Sequence, residues 1–407
     1  MREDKMNSMR NSYHALITAA AVVVAFFSTP LSGAALAAGT YDINVVLPLT
    51  GSAAFVGQGE KDSVLALQDQ INATGGIAGD KLNFVFHDDQ TQPQLAVQLT
   101  TQVLGSQPAV VMGSSLVAMC LAMAPLMENG PLHYCFSPGI HPKAGSYVFS
   151  ASSSSTDQIA AVVRYYRMKG WTKIATLMTT DASGQDGDRS VDEVMQYPEN
   201  KGKVDLVIRE HFNPSDVSVA AQMARIKGSG AQAIIAWTTG APAATVFRSM
   251  AQQGIDLPVA PTSGNQTFAA MKQWQAFLPK ELILASALYP PHPTSVKLDP
   301  AIDSAQQAMY ASLAKRGLKA DNMVATTWDA GLIVVSALRK LGTGATAAQL
   351  RDYINGLTNF AGVDGTYNFS KYPQRGLGPE SSTVTTYDAK SDSWTWLSQP
   401  GGEPLSK

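Results

Sequence analysis

The chain has 407 residues, a length that suits two domains of ordinary size. Hydrophobic residues make up 45% and charged residues only 15%, with a formal net charge of −2. Neither a basic stripe nor an acidic tail is present, which excludes nucleic acid and anionic lipid as natural partners and leaves Ser, Thr, Gln, Asn and Gly to cover much of the surface.

The first residues carry Arg2, Lys5 and Arg10, diluted by Glu3 and Asp4, and lead into a nearly uninterrupted apolar run from Ala15 to Phe27. Pro30 and small residues follow, ending Ala35-Leu36-Ala37. This is the layout of a secretory signal peptide cleaved after Ala37, so residues 1–37 are read as a removed leader. The apolar run falls short of the roughly 20 residues that a membrane crossing requires. The only cysteines are Cys120 and Cys135. Export permits a disulfide between them. With one placed on a helix and the other on the next strand, two buried free thiols are the preferred expectation and the disulfide stays open.

Beyond residue 40, short β-rich runs alternate with amphipathic helices. Ile43–Leu47 reads as a strand and Val56–Ile71 as a helix, with Val64, Leu65, Leu67 and Ile71 near one face. Gly75-Gly76 ends that helix. A strand over Leu82–His87 precedes a helix from Pro93 to Leu104, with Pro in its first turn. Ala109–Met112 is a strand, followed by a helix running to Asn129 and the strand Leu132–Phe136. Ala151–Ser155 is a short polar stretch that fits either a hinge or a helix N-terminus. A second series then begins: helix Ile159–Met168 and strands Lys173–Met178, Val204–Glu210 and Ala231–Trp237, with helices between. Residues 300–357 read as mostly helical, and the tail from Thr366 to Trp396 as short strands and loops. Alternation of this kind predicts an α/β protein with two doubly wound lobes, each built on a parallel sheet.

The residues Pro48-Leu49-Thr50-Gly51 with Gly57, Ile71-Asn72-Ala73, Gly75-Gly76-Ile77, Gly79, Lys81-Leu82, Asp88-Asp89, Pro93, Ala96, Ala124-Pro125-Leu126 and Ser137-Pro138 stand in a characteristic order and spacing. Through them the chain resembles the Leu/Ile/Val-binding proteins, the branched-chain-amino-acid type of solute-binding component of ABC importers. Trp328-Asp329-Ala330 and Gly365 with Phe369 are weaker echoes. The resemblance implies two lobes around a ligand cleft, joined by three chain crossings. It assigns residues 40–152 with 287–365 to lobe 1 and 153–286 with 366–407 to lobe 2. It implies a monomeric periplasmic protein that delivers a small-molecule carboxylate to membrane permease subunits driven by cytoplasmic ATPases, with no cofactor. Asp88 and Asp89 are read as capping and structural hydrogen-bonding groups.

The resemblance also implies a site. Ser114, Ser115 and Val117 in one loop, and Gly139, Ile140 and His141 in another, correspond to the loops whose N–H groups and hydroxyls hold a ligand carboxylate. On the opposite lobe the family's first aromatic falls at Ser183, its second at Thr238 or Thr239 beside Trp237, and its ammonium-pairing Glu at Ser263. No acidic residue stands between Leu257 and Pro279. A buried ammonium without a carboxylate is costly, so the expected ligand lacks an α-amino group. Phe55, Trp237, Phe268 and Tyr289 are candidate aromatic walls, which favours a benzoate or cinnamate derivative over a branched-chain or other amino acid or amide. An enzyme is not expected. There is no G-x-S-x-G, H-E-x-x-H or C-x-x-C, and the histidines lack metal-ligand spacing.

Overall fold

Parallel strands covered on both faces by helices need continuous apolar runs, and this chain supplies them in two sets. The computed structural model describes residues 39–287 and 298–405. The leader expected over residues 1–37 lies outside them, as does Tyr289. In chain order the first set comprises β1 (Thr40–Leu47), α1 (Ala54–Ala73), β2 (Lys81–Asp88), α2 (Pro93–Leu104), β3 (Val110–Gly113), α3 (Val117–Met123), β4 (Leu132–Cys135) and β5 (Val148–Ser150). Its sheet is parallel throughout, in the order β2-β1-β3-β4-β5.

The second set comprises α4 (Ser155–Met168), β6 (Lys173–Thr179), α5 (Ala182–Met195), β7 (Asp205–Phe212), α6 (Ala220–Gly228), β8 (Ala233–Ile235), α7 (Ala241–Gln252) and β9 (Val259–Ala260). It forms a parallel sheet ordered β7-β6-β8-β9. Then follow α8 (Phe268–Trp274), β10 (Leu284–Ser286), α9 (Pro300–Ala314), α10 (Asn322–Leu341), α11 (Ala347–Asn355), the β11 (Phe360–Ala361) and β12 (Thr366–Tyr367) pair, β13 (Thr383–Asp388) and β14 (Ser393–Trp396). An antiparallel sheet ordered β10-β13-β14 closes the chain.

The helical block after residue 300 comes back to the first sheet. Ser63 on α1 donates to the Val324 carbonyl of α10 at 2.6 Å, and Arg339 of α10 donates to the Gly76 carbonyl at 2.9 Å. The tail then passes the crossing near residue 151. There Arg375, pushed down to about 10 by burial, donates to the carbonyls of Ile140 at 2.6 Å, Ser152 at 3.2 Å and Ala151 at 3.4 Å. The result is a two-lobed α/β fold.

Local differences from the sequence reading have physical causes. The helix expected to run to Asn129 stops at Met123. Pro125 has no N–H for the ladder, and the chain tightens into a single 3-10 turn over Ala124–Met127. The helix expected from Ile159 starts at Ser155, because Ser154 and Asp157 form a reciprocal capping box. Of the two readings of Ala151–Ser155, this segment therefore ends in a capped helix N-terminus. The expected free thiols are corrected too. Cys120 on α3 and Cys135 on β4 form a disulfide, with Cα atoms 6.0 Å apart, because α3 lies directly on the sheet.

Candidate functional site

Loops at the carboxyl ends of parallel strands form the natural crevice of an open α/β sheet. Here such loops from both sheets meet. After β3 come Ser115, Leu116 and Val117; after β4, Phe136, Ser137, Pro138 and Gly139. Facing them are Ser183 at the start of α5, Trp237 and Thr239 after β8, and Thr262, Ser263 and Gly264 after β9. Together with Val56, Ser155 and Met323 they enclose a small cavity of about 40 Å³.

The two sides touch directly around this cavity. The Ala241 N–H donates to the Ser52 carbonyl at 3.2 Å, Asn322 Nδ2 donates to the Ser263 carbonyl at 3.3 Å, and His141 Nε2 pairs with Asp186 Oδ1 at 2.8 Å. At Gly139 and Gly240 the sides come close. A Cβ at Gly139 would lie 2.6 Å from Val117 Cγ2 on its own side and 2.7 Å from Asp186 Oδ2 across the cleft, and one at Gly240 would lie 2.7 Å from the Ser52 carbonyl oxygen, so both positions suit glycine. These contacts close the cleft.

Ser115, Val117, Gly139, Ser183, Trp237, Thr239 and Ser263 line the cavity together. Ser263 Oγ is buried and has no hydrogen-bond partner among the described residues. The other candidates sit elsewhere. Phe55 packs edge-on against Trp274 at 5.6 Å, and Phe268 packs against Trp394 at 5.9 Å; neither is among the residues lining the cavity. Ile140 is part of the apolar core behind the loop. Thr238 is buried with its carbonyl accepting from Thr262 Oγ1 at 3.0 Å and Asn265 Nδ2 at 2.7 Å. Ser114 spends its hydroxyl hydrogen on Asp89 Oδ2 at 2.5 Å. His141 is occupied by Asp186 and does not face the cavity. Asp88 holds the Thr50 N–H and hydroxyl, and Asp89 holds the Thr91 N–H, the structural roles expected of them.

Three features were not anticipated. Phe136 supplies, with Trp237, the aromatic surface of the cavity. Asp186, buried on α5, places a negative group on the face expected to have none. Its Oδ1 is held by His141 and Arg189, and its Oδ2 has no partner among the described residues. It stands three residues after Ser183, a helical spacing that puts both on one face. Third, Glu60 of α1 lies fully buried behind Ser115, hydrogen-bonded to its Oγ. Burial, with the fields of Asp89 and Asp321, pushes its carboxyl up to about 8 against the opposing Ser115 bond. Asp321 is itself raised to about 6, by burial. Glu60 was visible as a carboxyl on the apolar stripe of α1, four residues before Val64 and seven before Leu67.

An open groove of about 570 Å³, lined by Phe268, Tyr310, Leu313 and Leu318 among others, lies away from these loops and shares no residue with the cleft.

Comparison with known proteins agrees with this architecture. The family model described as "Periplasmic binding protein" matches residues 40–391. The "Leu/Ile/Val-binding protein homolog 3" of Brucella melitensis is 25% identical over 214 residues, 51% of this chain and 57% of that protein, so the chain spans little more than half the length of this relative. Among solved structures, a type 1 periplasmic binding protein from Bordetella pertussis superposes with a TM-score of 0.73 at 23% identity, covering 89% of this chain and 100% of that one. The branched-chain amino acid substrate-binding protein LivJ of Streptococcus pneumoniae, solved with isoleucine, gives 0.73 at 19% identity, covering 88% and 99%. With a family match over nearly the whole described length and a type I fold shared with these solved structures, the chain belongs to the periplasmic binding protein family.

Proposed function

We propose that this chain is the extracytoplasmic solute-binding component of an ABC import system, and that its cargo is a small carboxylate-bearing solute, an amino acid in first place. One observation carries the reading: a closed, hydroxyl-lined cavity between the two sheets in which Ser263 Oγ stays unpaired. Buried polar groups are almost always paired, so an orphan hydroxyl inside a closing cleft is suited to a solute. The names of the relatives point the same way.

A second reading, an aromatic acid such as a benzoate or cinnamate derivative, draws on Trp237 and Phe136 in the lining and on Ser263 at the position where the amino-acid binders carry Glu. Size weighs against it. A cavity of about 150 Å³ is known to hold benzene, and this one offers about 40 Å³. A ring would require the walls to retreat, whereas a short-chained amino acid asks for less.

Import at natural concentrations is served by a Kd of about 1 μM, some −8 kcal/mol. Calorimetric titration with L-alanine, L-valine and L-leucine, against benzoate and 4-hydroxybenzoate, tests the cargo. Micromolar binding of an amino acid is expected. Micromolar benzoate with silent amino acids would move the assignment to the second reading, and silence from all five would sink both.

A further inference from the structure

The Ser115 hydroxyl, which lines the cavity from the first sheet, is backed by a buried acid, and this backing decides what it can offer. A serine hydroxyl has one hydrogen. Ser114 gives its hydrogen to Asp89 Oδ2. Ser115, which lines the cavity, is bonded through Oγ to Glu60 Oε2. If Glu60 is ionised it can only accept, so Ser115 must donate to it and turns lone pairs toward the solute. If Glu60 is protonated it donates to Ser115 Oγ, and the Ser115 hydrogen is free to point into the cavity.

We propose that Glu60 is a specificity-determining group of this cleft: by holding or losing one proton it sets, through Ser115, whether the wall presents a hydrogen-bond donor or an acceptor to the solute. The inference rests on the Proposed function only for the anionic end of the cargo. The charged groups that reach Glu60 from the elements around it are Asp89, beyond β2, and Asp321, before α10, with Asp62 on α1 acting on Asp321. All are acids. They and burial favour the protonated form, and the carboxyl lies at about 8. Near neutral pH Glu60 therefore donates to Ser115, and Ser115 donates to a solute carboxylate. Above that point Glu60 takes the Ser115 hydrogen and leaves a buried negative charge behind the binding wall. Carboxylate affinity then follows the protonated fraction, falling about tenfold from pH 7 to pH 9.

The test has two arms. Infrared spectra of the solute-free protein should show a protonated carboxyl stretch at pH 7 that is absent in Glu60→Gln, fades as pH passes about 8, and moves to higher frequency in Ser115→Ala. Calorimetric titration with L-alanine and benzoate at pH 7 and pH 9 should show about a tenfold loss of affinity in the wild type and less than twofold in Glu60→Gln, whose amide keeps a donor toward Ser115. A missing band at pH 7, a band indifferent to Ser115→Ala, or one pH profile shared by wild type and Glu60→Gln would each overturn the proposal. If neither probe binds, the cargo assignment fails by itself, and the infrared arm with Ser115→Ala still decides the Glu60–Ser115 proton coupling.

Discussion

The two faces of the cleft are lined by the same kinds of residue, yet they hold them differently. On the first-sheet face, Ser114 and Ser115 are each bonded to a buried carboxyl, Asp89 and Glu60. On the second, the polar groups brace one another. Thr239 and Thr262 share a 2.6 Å hydrogen bond, Thr262 reaches the Thr238 carbonyl at 3.0 Å, and Asn265 donates to the same carbonyl at 2.7 Å and accepts from the Gly240 N–H at 3.0 Å. None of these second-face groups titrates in the ordinary range. The Ser115 hydroxyl thus answers to a carboxyl behind it and the Thr239–Thr262 pair to its neighbours' packing: a hydroxyl's meaning depends on what stands behind it.

Trp237→Ala should break this contrast most severely. The indole is almost wholly buried, and its ring lies against Gly187, where a Cβ would meet it at 2.6 Å. Truncation should cost about 3–5 kcal/mol in urea unfolding. A cost below about 1 kcal/mol would show that the second face is not held by packing. Next comes the disulfide beneath the first face. Replacing Cys120 and Cys135 by Ser frees a loop with a sequence separation of 15 and should cost about 3 kcal/mol, read as a lowered Tm.

The buried acids behind the first face set a pH slope. Asp321 is raised to about 6 and Glu60 to about 8, both chiefly by burial. Because each folded value exceeds its unfolded one, their contribution is fully present below about pH 4. It is lost as pH rises through the folded values. Between its two values each group makes stability fall by about 1.4 kcal/mol per pH unit. Urea unfolding from pH 4 to pH 8 should show this decline, and Glu60→Gln with Asp321→Asn should flatten it. The Asn can still cap α10, where Asp321 accepts from the Val324 N–H. A decline unchanged in the double variant would place its origin elsewhere.

The smallest effect belongs to the link across the cleft. His141 is 42% exposed and pairs with the buried Asp186. Such a pair is worth at most about 1 kcal/mol, so His141→Ala should raise the open population by up to about fivefold, seen as a larger radius of gyration in X-ray scattering. No change would mean that the closed state is held by the Ala241–Ser52 and Asn322–Ser263 contacts without it.

Much of the fold was legible because alternation and glycine punctuation are local signals. The helix over Pro93–Leu104 was read to the residue, and the β2 and β6 strands to within one residue at each end. The Gly75-Gly76 break appears as two positive-φ residues, at 93° and 67°. The cavity lining was legible where a loop follows a strand, as at Ser115, Gly139 and Ser263. It was illegible where a side chain's direction matters. Phe55 and Phe268 are aromatic and near the right segments, but Trp274 and Trp394 claim them. Asp186 carries no local signal of its place, because its position opposite Gly139 depends on how α5 meets the loop after β4.

Alone, the order of residues determined the period of each element, its breaks and hence the two parallel sheets, since each of those is an energy settled within a few neighbours along the chain. The tertiary structure decided which polar groups lost their water and to whom they turned. The bonding of Glu60 to Ser115, of Asp186 to His141 and of Cys120 to Cys135 joins residues far apart in sequence, and burial, which sets the charge of a carboxyl, exists only once the lobes have packed.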